Sequence, residues 1–565
     1  MHPHSFVSDG TNLTPVDLVR VARSGIPPSN QPTVTVEMSP EAQQRVLASR
    51  SIVDDIVARG DLVYGITTGF GAFKDRVIPL DQLAQLQKNL IMSHSAGVGD
   101  PLPAEVVRAT MLARAHTLSL GYSGISLPTL QLIYDMLNHA IHPVIPTQGS
   151  VGASGDLAPL AHMALAMLGL GHVEHHGQTR PAAEALASSQ LTPVTLLPKE
   201  GLALSNGTSL MSALLSLALI DTVTLSDTAD VVAALSIEAL QAVPAALDPR
   251  IHAARPHAGQ STSASNLRAL TQGSTLLWQP QAAGGAPPST RDPLTLNKVQ
   301  DPYSLRCTPQ VHGPVRDASA YVDNVLSIEL NSANDNPLIF PGDRDEGSGV
   351  SSIGSSLIPN PSPLSPSYAV LSGGNFHGAP LSLAADFLAT AVCSLANISE
   401  RRQALLLDTK ANNGLLPPFL TPNGGLNSGF MIAQYTSASL ASENKSLAHP
   451  ASVDTIPTSA NTEDHVSMGP IAARHARAIA ANTARVLAIE VLLAAQAIDL
   501  RLQAHSHSHS HARLGHGSQA AYDLIRAHIP FLAIDAPIYP YIAAAESLVL
   551  SGQFAAILTA TDASL

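Results

Sequence analysis

Aromatic side chains are scarce in this chain. Its 565 residues include 10 Phe, 10 Tyr and 1 Trp, 4% in all. A core built around stacked rings is excluded. So is an aromatic platform for nucleic-acid bases. Charge is also thin. Asp, Glu, Lys and Arg make up 13% of residues, about half the usual share. The net charge is −13, and no basic stripe offsets it, so the sequence has no electrostatic means of holding nucleic acid. Two cysteines, Cys307 and Cys393, cannot build a disulfide framework and point to a reducing compartment. The opening MHPHSFVSDGTNLTPVDLVRVARSG lacks a charged segment followed by an apolar one, so no secretory leader is expected and the expectation is a cytoplasmic protein. The most apolar runs, such as 209-SLMSALLSLALIDTVTLSD-227, are broken by Ser, Thr and Asp. They read as buried helices rather than membrane spans. Familiar catalytic signatures are missing too: there is no G-x-S-x-G elbow, Walker loop, H-E-x-x-H or paired C-x-x-C. The pair Gly69-Phe70-Gly71 lacks the third spaced glycine and the preceding strand of a dinucleotide loop. A conventional covalent nucleophile is therefore not expected, and an electrophile would have to come from elsewhere.

What the chain has is aliphatic residues at helical spacing. Hydrophobic residues are 45% of the total, with Ala and Leu dominant. Helical periodicity marks 103–120, 127–139, 209–241, 380–407 and 470–503. Several of these exceed the length of an ordinary helix and are apolar on more than one face, which implies a central bundle. The expected class is all-α, with a short strand near 33–37. The expected organisation is an N-terminal extension (1–30), an N-terminal region (31–200), a central long-helix bundle (201–503) and C-terminal helices after a His-rich loop (504–565). Residues 257–294, rich in Ser, Gln, Gly and Pro, read as a long loop, and 341–367 as a disordered insertion. The tract 505-HSHSHSHARLGHG-517 reads as a solvated loop, since alternating His-Ser is a compositional signal.

Between the helices lie eight polar, Gly-rich islands: 64-YGITTGFG-71, 89-NLIMSHSAGVG-99, 149-GSVGASGDL-157, 204-LSNGTS-209, 300-QDPYSLRC-307, 329-ELNSANDNP-337, 372-SGGNFHG-378 and 459-SANTEDHVSMG-469. Singly, each has a plain structural explanation. Tyr64 suits a core tyrosine, His94 an interior histidine, Arg306 a structural ion pair, and Asn206-Gly207 a turn. Together they are hard to assign to packing, because buried polar groups are costly unless partnered. The set holds a cation for a carboxylate (Arg306), two phenols (Tyr64, Tyr303), an imidazole (His94), amides (Asn206, Gln300, Asn336) and a buried-looking acid (Glu463). That inventory fits a small zwitterionic substrate.

The stretch G-x-x-G-A-S-G-D-L-A-P-L from Gly149 to Leu160, with seven further islands in matching order, resembles the histidine and aromatic amino-acid ammonia-lyase family across roughly residues 30 to 500. The resemblance implies that Ala153-Ser154-Gly155 cyclises and loses water to form methylidene-imidazolone (MIO), with Asp156 promoting the step and neither an external cofactor nor a catalytic metal. The residues suit it: the Gly155 nitrogen must reach the Ala153 carbonyl carbon, and small side chains permit that compression. The resemblance further implies Tyr64 as the base for the β-proton and Asn206 as a hold on the prosthetic group and amine. Tyr303 and Arg306 would assist elimination and clamp the carboxylate, a task suited to an Arg fork. Gln300 and Asn336 would complete the polar shell, and Phe376 would lie near the prosthetic group. A homotetramer, with sites drawing on three subunits and an N-terminal region bearing MIO, is implied as well.

Ser93-His94 is the pair typical of the family's histidine branch, and Glu463 stands where that branch carries an acid. A Glu and a His can hydrogen-bond both nitrogens of an imidazole; against a benzyl group each would be left unpaired, at about 1–3 kcal/mol. The implied reaction is reversible elimination of ammonia to an α,β-unsaturated acid. The sequence departs from the branch at Ser209, where Gln is common, and in 341–367 and 505–517. A phenylalanine or tyrosine lyase, or an aminomutase, on the same scaffold stays open. A fumarase-like reading of 354-GSSLIPNPSP-363 fails because Pro361 and Pro363 occupy its Lys and Asn positions. A non-enzymatic helical scaffold is disfavoured by the complete set of islands.

Overall fold

The computed structural model describes residues 4–26, 33–279, 298–342, 368–507 and 512–562. The 341–367 insertion, except for its first two residues, lies outside them, as does the proline-rich motif within it. Most of the described chain is helical. The longest helices are Ser209–Ala239, Thr308–Glu329, Ala379–Leu407 and Gly469–His507. Ser209–Ala239, Ala379–Leu407 and Gly469–His507 match the expected apolar runs to within a few residues, whereas Thr308–Glu329 was not among them. Three of them are long and apolar enough to cross a membrane, but 78%, 67% and 83% of their apolar windows are already buried within the protein. The hydroxyls that interrupt Ser209–Ala239 are absorbed inside the helix: Ser216, Thr222 and Ser226 donate to the carbonyls four residues back, at 2.7–2.8 Å.

The chain divides into two compact units, one of 1–217, 323–383 and 451–474 and the other of 218–322, 384–450 and 475–565. Four of the five divisions fall within the long helices, and the fifth follows the helix Met431–Leu447. The first unit carries four small sheets among the described residues, so all-α becomes mostly helical with short strands. Thr35–Met38 pairs in parallel with Ser5–Ser8, close to the strand expected at 33–37. His172–His175 and Gln178–Pro181 form a hairpin whose turn puts His176 and Gly177 at positive φ, 53° and 75°.

Two loop expectations are corrected. Within 257–294, Ala258–Leu270 is a helix. Its small residues serve a close approach: a Cβ on Gly259 would stand 2.1 Å from the Gly313 carbonyl. Leu267 and Leu270 are fully buried on the same helix, so tertiary packing overrides the loop-like composition. In 505–517, residues 505–507 continue the long helix and a new helix starts at His516. Residues 280–297 and 508–511 lie outside the described chain.

Candidate active site

The Ala153-Ser154-Gly155 turn leads into the helix Leu157–Met167. Gly152, Ser154 and Gly155 all have positive φ, at 82°, 48° and 79°. Ser154 is the costly member, because its Cβ crowds the backbone in that region. A neighbouring strap at Asn206-Gly207 meets the turn edge on. The Gly207 amide donates to the Ser154 carbonyl at 3.3 Å, and the Asp156 amide donates to the Gly207 carbonyl at 2.7 Å. A Cβ at Gly155 would lie 2.1 Å from the Gly207 oxygen, so glycine is required there.

Asp156 is fully buried. Its Oδ2 accepts the first amides of Ser209–Ala239, from Leu210 at 2.7 Å and Met211 at 3.1 Å. Its Oδ1 has no hydrogen-bond partner among the described residues. Burial pushes its pKa up to about 7, against the pull of those amides and of Arg114. Asn206 is buried too, and its Oδ1 is likewise unpartnered.

Glu463 lies across from the turn and is half-buried, less enclosed than the sequence suggested. Its Oε1 accepts the Ser154 hydroxyl at 3.2 Å, and its Oε2 accepts the Thr458 hydroxyl at 2.9 Å. His94 ends the helix Leu83–His94, with Nδ1 3.0 Å from Ser93 Oγ. Burial lowers its pKa, and the Glu463 charge opposes that shift. Tyr64, Asn336 and Phe376 line a cavity of about 430 Å³, with Lys74, Ser372 and Thr462. The Tyr64 hydroxyl accepts the Gly71 amide at 3.4 Å. Asn336 is held from both ends of its amide: Oδ1 accepts from Gly373 at 2.7 Å and Nδ2 donates to Ser372 Oγ at 3.2 Å.

The first unit therefore holds Tyr64, His94, the 153–156 turn, Asn206, Asn336, Phe376 and Glu463. Gln300, Tyr303 and Arg306 belong to the second unit, where they line another cavity of about 420 Å³. Tyr303 is 71% exposed, and the Arg306 guanidinium stacks 4.6 Å from its ring centroid. Arg306 donates through Nε to the Asp301 carbonyl at 3.0 Å, which leaves its terminal nitrogens directed elsewhere.

Sequence reasoning missed Arg114, which is fully buried behind Asn206-Gly207. Its signal is a second arginine, after Arg108, in the Ala104–Leu118 helix, which is buried along nearly its whole length. Such a residue is rarely buried without a partner. Lys74 and Thr462 were also passed over, although both lie in or beside the quoted islands. Among the described residues, no group of three or more His, Cys, Asp or Glu side chains is placed to hold a metal ion.

The turn fits an MIO group on three observations: Ser154 already has positive φ, Gly155 has no room for a side chain, and two polar atoms beside it (Asn206 Oδ1, Asp156 Oδ1) are buried without partners.

A family model described as aromatic amino acid lyase matches residues 13–527. A histidine ammonia-lyase of Chloroflexus aurantiacus is 48% identical over 563 residues, 100% of this chain and 99% of that protein. Among solved structures, histidine ammonia-lyase from Trypanosoma cruzi superposes with TM-score 0.83 at 40% identity, covering 99% of this chain and 95% of that one. A tyrosine aminomutase from Streptomyces globisporus gives TM-score 0.83 at 33% identity, covering 98% of each chain.

Proposed function

The chain belongs to the aromatic amino acid lyase family, and we propose that it is a histidine ammonia-lyase, converting L-histidine to urocanate and ammonia. One observation carries this: 48% identity, end to end, with histidine ammonia-lyases. The pairing of His94 with Glu463 near the turn supports the choice of histidine over the family's other substrates.

Two obstacles define the chemistry. The β-hydrogen of an amino acid is barely acidic, and ammonia is a poor leaving group. The family uses MIO, and when formed from Ala153-Ser154-Gly155 it supplies an electrophile for the substrate amine. Asn206, with an unpartnered buried Oδ1, is suited to hold that amine. Tyr64 is proposed to take the β-proton from its place in the cavity with Phe376 and Asn336. Arg306 would fork onto the carboxylate, Tyr303 would assist departure of the amine, and Gln300 would complete the polar shell. His94 and Glu463 would bracket the imidazole. Holding the acid, amine and ring at fixed points removes most of the orientational freedom that otherwise opposes elimination.

Three of these residues lie in the second unit and nine in the first. A cytoplasmic homotetramer in which one site draws on several subunits belongs to this reading, as the family resemblance implies. No external cofactor is required. The test is incubation with histidine, phenylalanine and tyrosine separately, reading ammonia release and product spectra together. Urocanate from histidine should dominate. Faster formation of cinnamate or coumarate would reassign the substrate, and a β-amino acid product would mark an aminomutase.

A further inference from the structure

Gly207 is pressed from two sides. On one side are its hydrogen bonds to the Ser154 carbonyl and the Asp156 amide. On the other is Arg114: a Cβ on Gly207 would stand 2.2 Å from Arg114 Nη1 and 2.7 Å from Asn334 Oδ1. The Arg114 guanidinium is fully buried, and all its described hydrogen bonds run to the strap and its support. Nε and Nη2 both donate to the Ala203 carbonyl, the former at 3.0 Å. Nη1 donates to Asn334 Oδ1 at 3.1 Å. Asn334 in turn donates to Thr208 Oγ1 at 2.9 Å, and the Thr208 hydroxyl donates to Glu329. One planar cation thus grips the strap three residues before Asn206 and, through Asn334 and Thr208, one residue after Gly207.

We propose that Arg114 is a positioning residue for maturation: it holds the Gly207 strap against the Ala153-Ser154-Gly155 turn and so keeps the turn folded back for cyclisation. The inference rests on the lyase reading above. Cyclisation joins the Gly155 nitrogen to the Ala153 carbonyl carbon. The Ala153 oxygen leaves as water with the amide hydrogens of Ser154 and Gly155. A second water carries off the Ser154 hydroxyl and its α-hydrogen. No oxidant or reductant is needed, so what the protein must supply is shape. Without the strap, a turn with Ser154 at positive φ has no reason to persist, because that conformation is intrinsically disfavoured.

Arg108 provides an internal control. It lies two turns earlier on the same helix and is equally buried. It donates to the carbonyls of Ala22, Val21 and Leu137, none of which belongs to the strap. Intact-mass time courses after a short expression pulse, on the full chain, would follow the loss of two waters. Helical circular dichroism would be recorded in parallel. Lysine keeps the charge but has one nitrogen and cannot span both anchor points. Arg114→Lys should lose water about tenfold more slowly than the wild type at unchanged helical content. Arg108→Lys should mature at the wild-type rate even if less stable. Maturation of Arg114→Lys at the wild-type rate, or equal slowing in Arg108→Lys, would overturn the proposal. If Arg114→Lys yields no folded chain, Thr208→Val decides: it removes the far tie with no change in buried cation, and undiminished water loss there overturns the proposal as well. A wild-type chain with no mass deficit would sink the lyase reading itself, a result distinct from a deficit that is simply indifferent to Arg114.

Discussion

Glu463 serves two neighbours at once. One oxygen takes the Ser154 hydroxyl, the other takes Thr458, and its charge reaches His94. Replacing the carboxylate by an amide keeps the shape but brings a donor to a position that should only accept. Glu463→Gln is expected to lower kcat/KM for histidine about tenfold to a hundredfold and to leave phenylalanine turnover less affected. Parallel kinetics on the two amino acids check this, and an unchanged ratio would remove Glu463 from substrate selection. Asp156 offers a test through pH. Burial raises its pKa from 3.8 to about 7, so the folded state holds the proton over a range in which the unfolded chain has released it. Stability contributed by this group is therefore full below pH 3.8 and falls as pH rises to about 7. Asp156→Asn should remove that slope. Subtracting the variant's denaturation midpoints from the wild type's across this range should leave a difference that declines with pH, and a flat difference would contradict the assignment. Ser154→Ala should abolish both the water-loss signature and turnover, with helical content unchanged. Much of this was legible in the residues. Ala153-Ser154-Gly155 is small enough to fold on itself, and an acid in a Gly- and Asn-flanked island is conspicuous. What could not be read was depth. Glu463 is half-exposed and Asp156 fully enclosed, because enclosure depends on segments brought in from far along the chain, such as Leu210 and Met211 over Asp156.

Loops and helices differ in how they hold these residues. The Phe376 and Glu463 loops are stitched together by His377. Its Nδ1 accepts the Ala379 amide at 3.3 Å, so Nε2 bears the hydrogen that reaches the His465 carbonyl at 3.2 Å. The two rings lie parallel at 5.8 Å. In the second unit, Ala379–Leu407 and Gly469–His507 are locked by Arg402 and Glu490, both fully buried. Arg402 Nη2 donates to Glu490 Oε2 at 2.8 Å, and the hydroxyls of Ser236 and Ser399 satisfy the same carboxylate at 2.8 and 2.6 Å. Arg402→Met strands the acid and should cost about 3–5 kcal/mol, read as a lower denaturant midpoint. Adding Glu490→Met should recover most of that loss. No recovery would mean that packing rather than charge sets the cost. These helices were readable because apolar residues recur along them at helical spacing, and Ser or Thr hydroxyls can turn back onto their own helix. Ala258–Leu270 was not readable, since its small and polar residues signal a loop until Gly313 arrives against Gly259. The small sheets are similar: strands of three or four residues carry too little alternation to register.

Across the whole molecule, the proposed catalytic set is split. Tyr64 stands in one compact unit, and Tyr303 with Arg306 in the other, where Tyr303 is largely exposed and stacked on Arg306. An exposed phenol beside an arginine has little structural purpose on a free surface, but it suits a site completed by another copy of the chain. The family resemblance implies such sharing, but the order of the islands along a chain says nothing about which copy supplies each part. Complementation can. Tyr64→Phe and Tyr303→Phe should each be nearly inactive alone. Unfolded together in equal amounts and refolded as mixed oligomers, they should regain activity if each site takes its two tyrosines from different subunits. Random assortment then gives both native tyrosines to about a quarter of sites, so recovery should approach about a quarter of wild-type turnover. If both tyrosines come from one chain, every site carries one defect and mixing restores nothing. Size-exclusion chromatography of the mixture separates that outcome from failed reassembly, because only correctly assembled oligomers enter the comparison. Recovery that depends on mixing ratio as the product of the two fractions would identify an inter-subunit site by its composition alone.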